Sequence, residues 1–230
     1  MGKIITIFNL KNSSGKTTVA INLAKIFATR GRTLLIDLDP IGNASKYFGI
    51  KNNKYSIADI LSKNRDFPEV VNRCTVSELF ILPANLKLIS WIVNQKNENY
   101  INGFSSVLEY LNSKFETIII DTSSSSQFLI NNKLLAIAVK SSNKIIVPVK
   151  VDSSSIYFLK KSLEYLEQNN KIPDILPTMY RDENIEIYKN IIKNFGNLMM
   201  KIGSNGIKID DGIGSSFGFQ QLAISSSLNF

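Results

Sequence analysis

Short, uninterrupted runs of aliphatic and β-branched residues return along the whole chain, each separated from the next by a stretch of helical period. The runs lie at Ile4 to Phe8, Thr33 to Asp37, Leu79 to Leu82, Thr117 to Asp121, Lys144 to Val149 and Ile175 to Met179. A strand with one wet face alternates apolar and polar side chains, whereas a continuously apolar run suits a parallel sheet covered on both faces. Helices are predicted over Thr17 to Arg30, Ile57 to Ser62, Leu86 to Asn94, Phe104 to Ser113, Phe128 to Val139, Ser153 to Gln168 and Asn184 to Phe195. In the first of these, Ala20, Leu23, Ala24 and Phe27 recur at three- and four-residue spacing and so share one buried face. The β-α-β order with right-handed crossovers predicts an α/β fold, a doubly wound, mostly parallel sheet with helices on both faces. In such sheets ligands bind outside the carboxyl ends of the strands. The 230 residues suit a single domain spanning 1–230. Its last part, 203–230, is expected to be irregular, because Gly203, Gly206, Gly212, Gly214 and Gly218 interrupt any period.

Composition removes several chemistries. With no histidine, Ser-His-Asp triads, Cys-His dyads and histidine zinc sites are excluded. The single Cys74 cannot form an internal disulfide or build a thiolate metal site, which leads us to expect a reduced, intracellular protein. No apolar stretch is long enough to span a bilayer and the first residues lack a cleavable signal pattern, so a cytoplasmic location is expected. Chemistry is left to Lys, Asp, Glu, Thr, Ser, backbone amides or an oxygen-bound metal. An excess of 27 Lys and Arg over 19 Asp and Glu gives +8, which suits a polyanionic partner. A lysine bias arising from an AT-rich genome accounts for the same number equally well.

The strongest local signal is Lys11-Asn12-Ser13-Ser14-Gly15-Lys16-Thr17-Thr18, between an apolar strand and an amphipathic helix. There, free backbone N–H groups and the positive helix terminus would face an anion. Lys16 is placed to reach β- and γ-phosphates and the Thr17 hydroxyl to take one Mg²⁺ position. The strict pattern G-x-x-x-x-G-K-[ST] fails, because Leu10 stands where its first glycine belongs. Two further strand ends support the reading: Leu34 to Pro40 carries the paired carboxylates Asp37 and Asp39, and Ile118 to Thr122 carries Asp121. Mg²⁺ prefers oxygen ligands and is commonly held through water by such a carboxylate.

These residues, with Ala20-Ile21-Asn22-Leu23-Ala24 and Gly42-Asn43-Ala44, resemble the ParA/Soj branch of the deviant-Walker P-loop ATPases, the group that includes MinD. Weaker similarity continues through Val147-Pro148-Val149, Thr178-Met179-Tyr180 and Ser216-Phe217-Gly218. The resemblance implies that ATP and ADP bind with Mg²⁺ along residues Lys11 to Thr18. It implies that Lys11 reaches the nucleotide of a partner subunit in a sandwich dimer, that Lys16 acts in cis and that Thr18 meets the α-phosphate. Asp39 matches the water-orienting carboxylate, so Lys11, Lys16 and Asp39 form the implied catalytic set. Thr17, Asp37 and Asp121 form the implied metal set.

The implied function is a switch for plasmid or chromosome partitioning. Its ATP-bound homodimer would hold DNA nonspecifically on the nucleoid, and a ParB-like centromere-binding protein would stimulate hydrolysis and release it. Lys160, Lys161, Lys189, Lys193, Lys201 and Lys208 are the candidate DNA contacts, although Lys160 and Lys161 equally suit a solvated helix face.

The departures from the family matter too. Asn12 and Ser13 replace two glycines, Ser123-Ser124 replaces a Pro-Pro step, and Gly203-Ser204 replaces a Pro-Arg step. These changes support an alternative, a hydrolysis-deficient homologue that binds DNA or a partner. A MinD-like membrane-associated switch is the less favoured reading, since Gln220 to Phe230 carries no Lys or Arg, and no stable membrane association is expected.

Overall fold

The structure is a computed structural model that describes residues 2–50, 53–95, 99–123, 129–179 and 184–198. The candidate contacts Lys201 and Lys208, the expected irregular stretch 203–230, the Gly203-Ser204 step and the segment Gln220 to Phe230 lie outside the described residues. So do Ser124, Phe128 and Tyr180.

Among the described residues, seven strands form one sheet: β1 (Lys3–Ile7), β2 (Thr33–Leu38), β3 (Asn72–Arg73), β4 (Leu79–Leu82), β5 (Thr117–Thr122), β6 (Lys144–Lys150) and β7 (Asp174–Thr178). Their order is β3-β4-β2-β5-β1-β6-β7, parallel throughout except for the two-residue β3, which runs against β4 at the edge. Each run read as a strand from its apolar continuity forms one, with ends shifted by a residue or so. The helices are α1 (Lys16–Ala28), α2 (Asn43–Tyr47), α3 (Ile57–Leu61), α4 (Phe67–Val70), α5 (Lys87–Val93), α6 (Asn99–Asn112), α7 (Leu129–Lys140), α8 (Ser155–Gln168) and α9 (Ile185–Phe195). Helices α2 and α4, of five and four residues, are not predicted from the sequence. Helix α4 owes its start to a capping box between Asp66 and Glu69.

Successive residues of each strand serve opposite layers. Ile5, Ile7, Leu35, Ile119 and Ile146 pack on Val19, Ala20, Leu23, Ala24 and Phe27 of α1. On the other face Ile4, Leu34, Ile36, Ile118 and Ile120 meet Leu88 and Ile92 of α5, Leu108 and Leu111 of α6 and Leu134 and Ile137 of α7. Farther along that side, Phe8, Val147, Val149 and Ile175 pack on Leu159 and Leu166 of α8 and Tyr188 and Ile191 of α9. Burial on both faces explains why these strands read as unbroken apolar runs.

The topology then fixes where chemistry can sit. From β1 the chain passes to β2, while from β5 it crosses to β6 on the other side of β1. The parallel register pairs Ile7 with Asp121 and Asp37 with Asp121, so the loop after β1 and both aspartates emerge at one end of the sheet. Among the described residues, no helix is long and apolar enough to cross a membrane.

Candidate phosphate site

The loop after β1 is held from three directions. Asn9 donates from Nδ2 to the Pro148 carbonyl (2.7 Å), while its Oδ1 accepts from the Lys11 amide (2.7 Å). The Leu10 amide donates to Ser162 of α8 (3.2 Å), and the Thr178 hydroxyl at the end of β7 donates to the Ser14 carbonyl (3.0 Å). The bend needs two left-handed residues, Ser13 (φ 54°) and Gly15 (φ 92°). Gly15 adopts this conformation without a Cβ penalty, but Ser13 does not. At one of the two positions where the resemblance implies glycine, the loop therefore closes here with serine.

Gly15 caps α1 without any side-chain hydrogen bond, so no side chain covers the first-turn amides of a buried 13-residue helix. Such a terminus attracts phosphate. Lys16 is only 7% exposed, and its Nζ donates to the Lys11 carbonyl (2.8 Å). Burial lowers its pKa to about 8, opposed by the negative charges of Asp121 and Asp39. The shift from 10.5 to about 8 corresponds to ~3 kcal/mol withheld from the charged form. An incoming phosphate would return that free energy as attraction.

The three strand-end aspartates are held differently. Asp37 is fully buried and accepts from the Asp39 amide (3.0 Å), the Ser45 amide (2.8 Å) and the Ser45 hydroxyl (2.7 Å), so it ties β2 to α2. Burial raises its pKa against those three bonds. Asp39 accepts from the Ile41 amide (3.0 Å); burial raises its pKa, while Lys16 and Lys46 pull it down. Asp121 is also fully buried, yet no hydrogen bond of normal geometry reaches either carboxylate oxygen. Burial first, and the charge of Asp37 second, hold its pKa well above the usual carboxylate range, although the Thr17 hydroxyl pulls the other way. The buried Ser14 and Ser123 hydroxyls are likewise without partners.

Orphaned polar atoms of this kind usually mark an ion, water or ligand site. A carboxylate beside a threonine hydroxyl offers the hard oxygen donors that Mg²⁺ takes. Among the described residues, no group of three or more acidic, cysteine or histidine side chains could hold a metal alone. The arrangement therefore fits Mg²⁺ whose remaining ligands come from phosphate oxygens and water.

Lys11 turns away from this centre. Its ammonium pairs with Asp152, in the turn between β6 and α8, and donates to the Ser155 hydroxyl at 3.0 Å. Burial would raise the Asp152 pKa, but Lys11 and the Ser155 and Ser154 hydroxyls outweigh it and hold the carboxyl well below its usual range. No motif in the sequence singles out Asp152 or Ser155. The available signal is positional, since Asp152 follows the end of an apolar run as Asp37 and Asp121 end theirs.

Lys16, Thr17, Asp37, Asp39 and Asp121 are thus brought together, with Thr18 on the same first turn of α1. Asn12 and Ser13 form the exposed rim of the loop. Lys160, Lys161, Lys189 and Lys193 stand on the solvent faces of α8 and α9; Lys161 pairs with Glu164 (2.8 Å) and Lys189 with Glu186 (2.9 Å).

The chain is similar to known proteins in sequence and in fold. The profile of an AAA domain family matches residues 2–175. The chain is 31% identical over 193 residues to the sporulation initiation inhibitor protein Soj of Bacillus subtilis, a match covering 78% of this chain and 73% of Soj. It is 31% identical over 193 residues to the chromosome partitioning protein ParA of Myxococcus xanthus, covering 78% of this chain and 66% of the relative. Among solved structures, a putative plasmid partition protein from Borrelia burgdorferi bound to AMPPNP superposes with a TM-score of 0.73 at 24% identity, over 91% of this chain and 85% of that one.

Proposed function

Because the chain belongs to the ParA/Soj family of partition ATPases, we propose that it is an ATP-dependent switch that partitions a plasmid or chromosome. The observation that carries this reading is the buried, unpartnered Asp121 beside Thr17 and Lys16. Such a group is costly in an empty site and useful in one that receives a metal and phosphate.

In this reading the residues from Lys11 to Thr18 cradle ATP or ADP. Lys16 meets the β- and γ-phosphates, the first-turn amides of α1 take phosphate oxygens and Thr18 contacts the α-phosphate. Thr17 and Asp121 would hold Mg²⁺, and Asp37 would support them by fixing the β2 to α2 turn. Bound Mg²⁺ supplies neutralisation of charge on the phosphate oxygens. Asp39 orients the attacking water. Lys11 leaves Asp152 and crosses to the nucleotide of a second copy, where a cation supplied in trans stabilises charge that develops during transfer. Positioning and electrostatics carry most of phosphoryl transfer, so a chain without histidine lacks nothing it needs.

The ATP-bound homodimer is proposed to hold DNA through phosphate neutralisation, with Lys160, Lys161, Lys189 and Lys193 as contacts. A ParB-like centromere-binding protein stimulates hydrolysis and release. The protein is then cytoplasmic and gathers on the nucleoid when ATP is bound.

The left-handed Ser13 supports a second reading, a homologue that binds nucleotide and partner without turnover. Retention on nonspecific duplex DNA tests the switch. It should require ATP, be absent in ADP and fall steeply as salt rises. Retention that ignores the nucleotide would favour the second reading, and binding to anionic liposomes but not duplex would favour a membrane switch.

A further inference from the structure

A cavity of about 500 Å³, walled by both polar and apolar groups, lies between α1 and α2, with Thr17, Thr18, Lys25, Asn43, Lys46 and Tyr47 in its wall. Its sign is uniform: two lysines and no carboxylate line it. Lys25 is not loosely placed. Its ammonium donates to the Tyr47 hydroxyl at 2.6 Å and lies 4.6 Å from the centre of the Tyr47 ring, so the cation is fixed in the wall by two contacts. A cation held in place before a ligand arrives forfeits less side-chain entropy on binding.

The cavity shares Thr17 and Thr18 with the phosphate loop but runs away from it. Lys25 lies seven residues past Thr18 on the same helix, about 10 Å farther along the axis at ~1.5 Å per residue. A lysine side chain on a helix leans toward its N-terminus, but the Lys25 ammonium is engaged by the Tyr47 hydroxyl and not by the first-turn amides. Sheet order sets the cavity on the β2 side of the loop, the side that also carries Asp37 and Asp39. The loop is closed on one side by Thr178 and Met179 at the end of β7, beside β6, whereas α2 follows β2 on the opposite side of β1. The volume falls in the range of small-ligand pockets and exceeds what a single phosphate fills. Ile21 and the Tyr47 ring supply an apolar wall for the remainder.

We propose that the α1–α2 cavity is a second ligand site, separate from the nucleotide loop, that takes the phosphate end of a small organic phosphate between Lys25 and Lys46. The proposal does not depend on hydrolysis, and ADP binding at the loop is measured separately from it. Its position beside Thr17 would make an occupied cavity a neighbour of the nucleotide site.

The test titrates protein saturated with ADP and Mg²⁺ with phenyl phosphate in one arm and inorganic pyrophosphate in the other, followed by calorimetry. The expected result is one additional saturable site for phenyl phosphate, weakened at least tenfold in the Lys25→Ala/Lys46→Ala double variant. Asn43→Asp, which places a negative charge in the same wall, should weaken it similarly. Both variants should keep the wild-type ADP affinity within twofold, which shows that they are folded. No saturable site beyond the loop, a site that survives both variants, or binding of pyrophosphate alone would each overturn the proposal. In a third arm, binding of an oligoglutamate peptide in place of either phosphate would overturn it in favour of a protein partner.

Discussion

If the proposed ATP-bound sandwich dimer forms, replacing Asp152 by Asn should make it easier, because it releases the lysine proposed to cross to the nucleotide of the second copy. The Lys11 and Asp152 side chains are 13% and 28% exposed, between a surface pair and a buried one. Exposed pairs contribute about 0.2–1 kcal/mol and hydrogen bonds to charged groups about 1.5–3 kcal/mol, so ~1.5 kcal/mol is a reasonable value here. Asn keeps the shape and the bonding to Ser154 and Ser155 while removing the charge. A double-mutant cycle with Lys11→Ala and Asp152→Asn, read by urea unfolding without nucleotide, should return that coupling. In the dimer the contact must break once per protomer. Relief of ~1.5 kcal/mol corresponds to about tenfold in dissociation constant for one protomer and about a hundredfold for two. Sedimentation equilibrium in AMPPNP and Mg²⁺ measures it. The Asp152 carboxyl is held below its ordinary pKa, so the contact is fully present above about pH 4 and fades only as pH falls well below that value. A coupling near zero, or a dimer weakened by Asp152→Asn, would refute the reasoning.

Other perturbations follow from the same geometry. Ser13→Gly should stabilise the unliganded protein by about 1 kcal/mol in urea unfolding, since it removes the left-handed penalty at φ 54°; a loss of stability would contradict the loop conformation. Asp121→Asn should raise the melting temperature without ligand by ~2 °C or more, by removing a buried carboxylate that has no partner, and should abolish the gain in nucleotide affinity produced by Mg²⁺. Lys16 has its folded pKa lowered to about 8, so the unfolded chain binds more protons between about pH 8 and 10.5. The stability of the wild type relative to Lys16→Met should therefore rise across that window. ADP affinity should fall over the same window, because the bound phosphate prefers charged Lys16.

The legible parts of this molecule are those with a repeating signal. Continuous apolar runs became β1, β2, β4, β5, β6 and β7, because burial on both faces writes the same residue class at every position. The position of the Lys11 to Thr18 loop was legible because strand, Lys-Thr pair and helix are adjacent in the chain. Asp37 and Asp121 were legible because parallel pairing brings strand ends together. The short elements β3, α2 and α4 offer no period. The partner of Lys11 was hidden for another reason, since Asp152 is 141 residues away and meets it only after β6 docks beside β1. Likewise, Ser13 reads as a departure from the glycines of the family, and only the backbone shows that it takes up the left-handed turn itself.

Steady-state phosphate release from ATP and Mg²⁺ tests the central claim most directly. The wild type should turn over slowly, Lys16→Ala and Asp39→Ala should each abolish it, and ADP should still bind to the Asp39→Ala protein. Wild-type protein that neither binds nucleotide nor releases phosphate, or a Lys16→Ala protein as active as the wild type, would contradict the account.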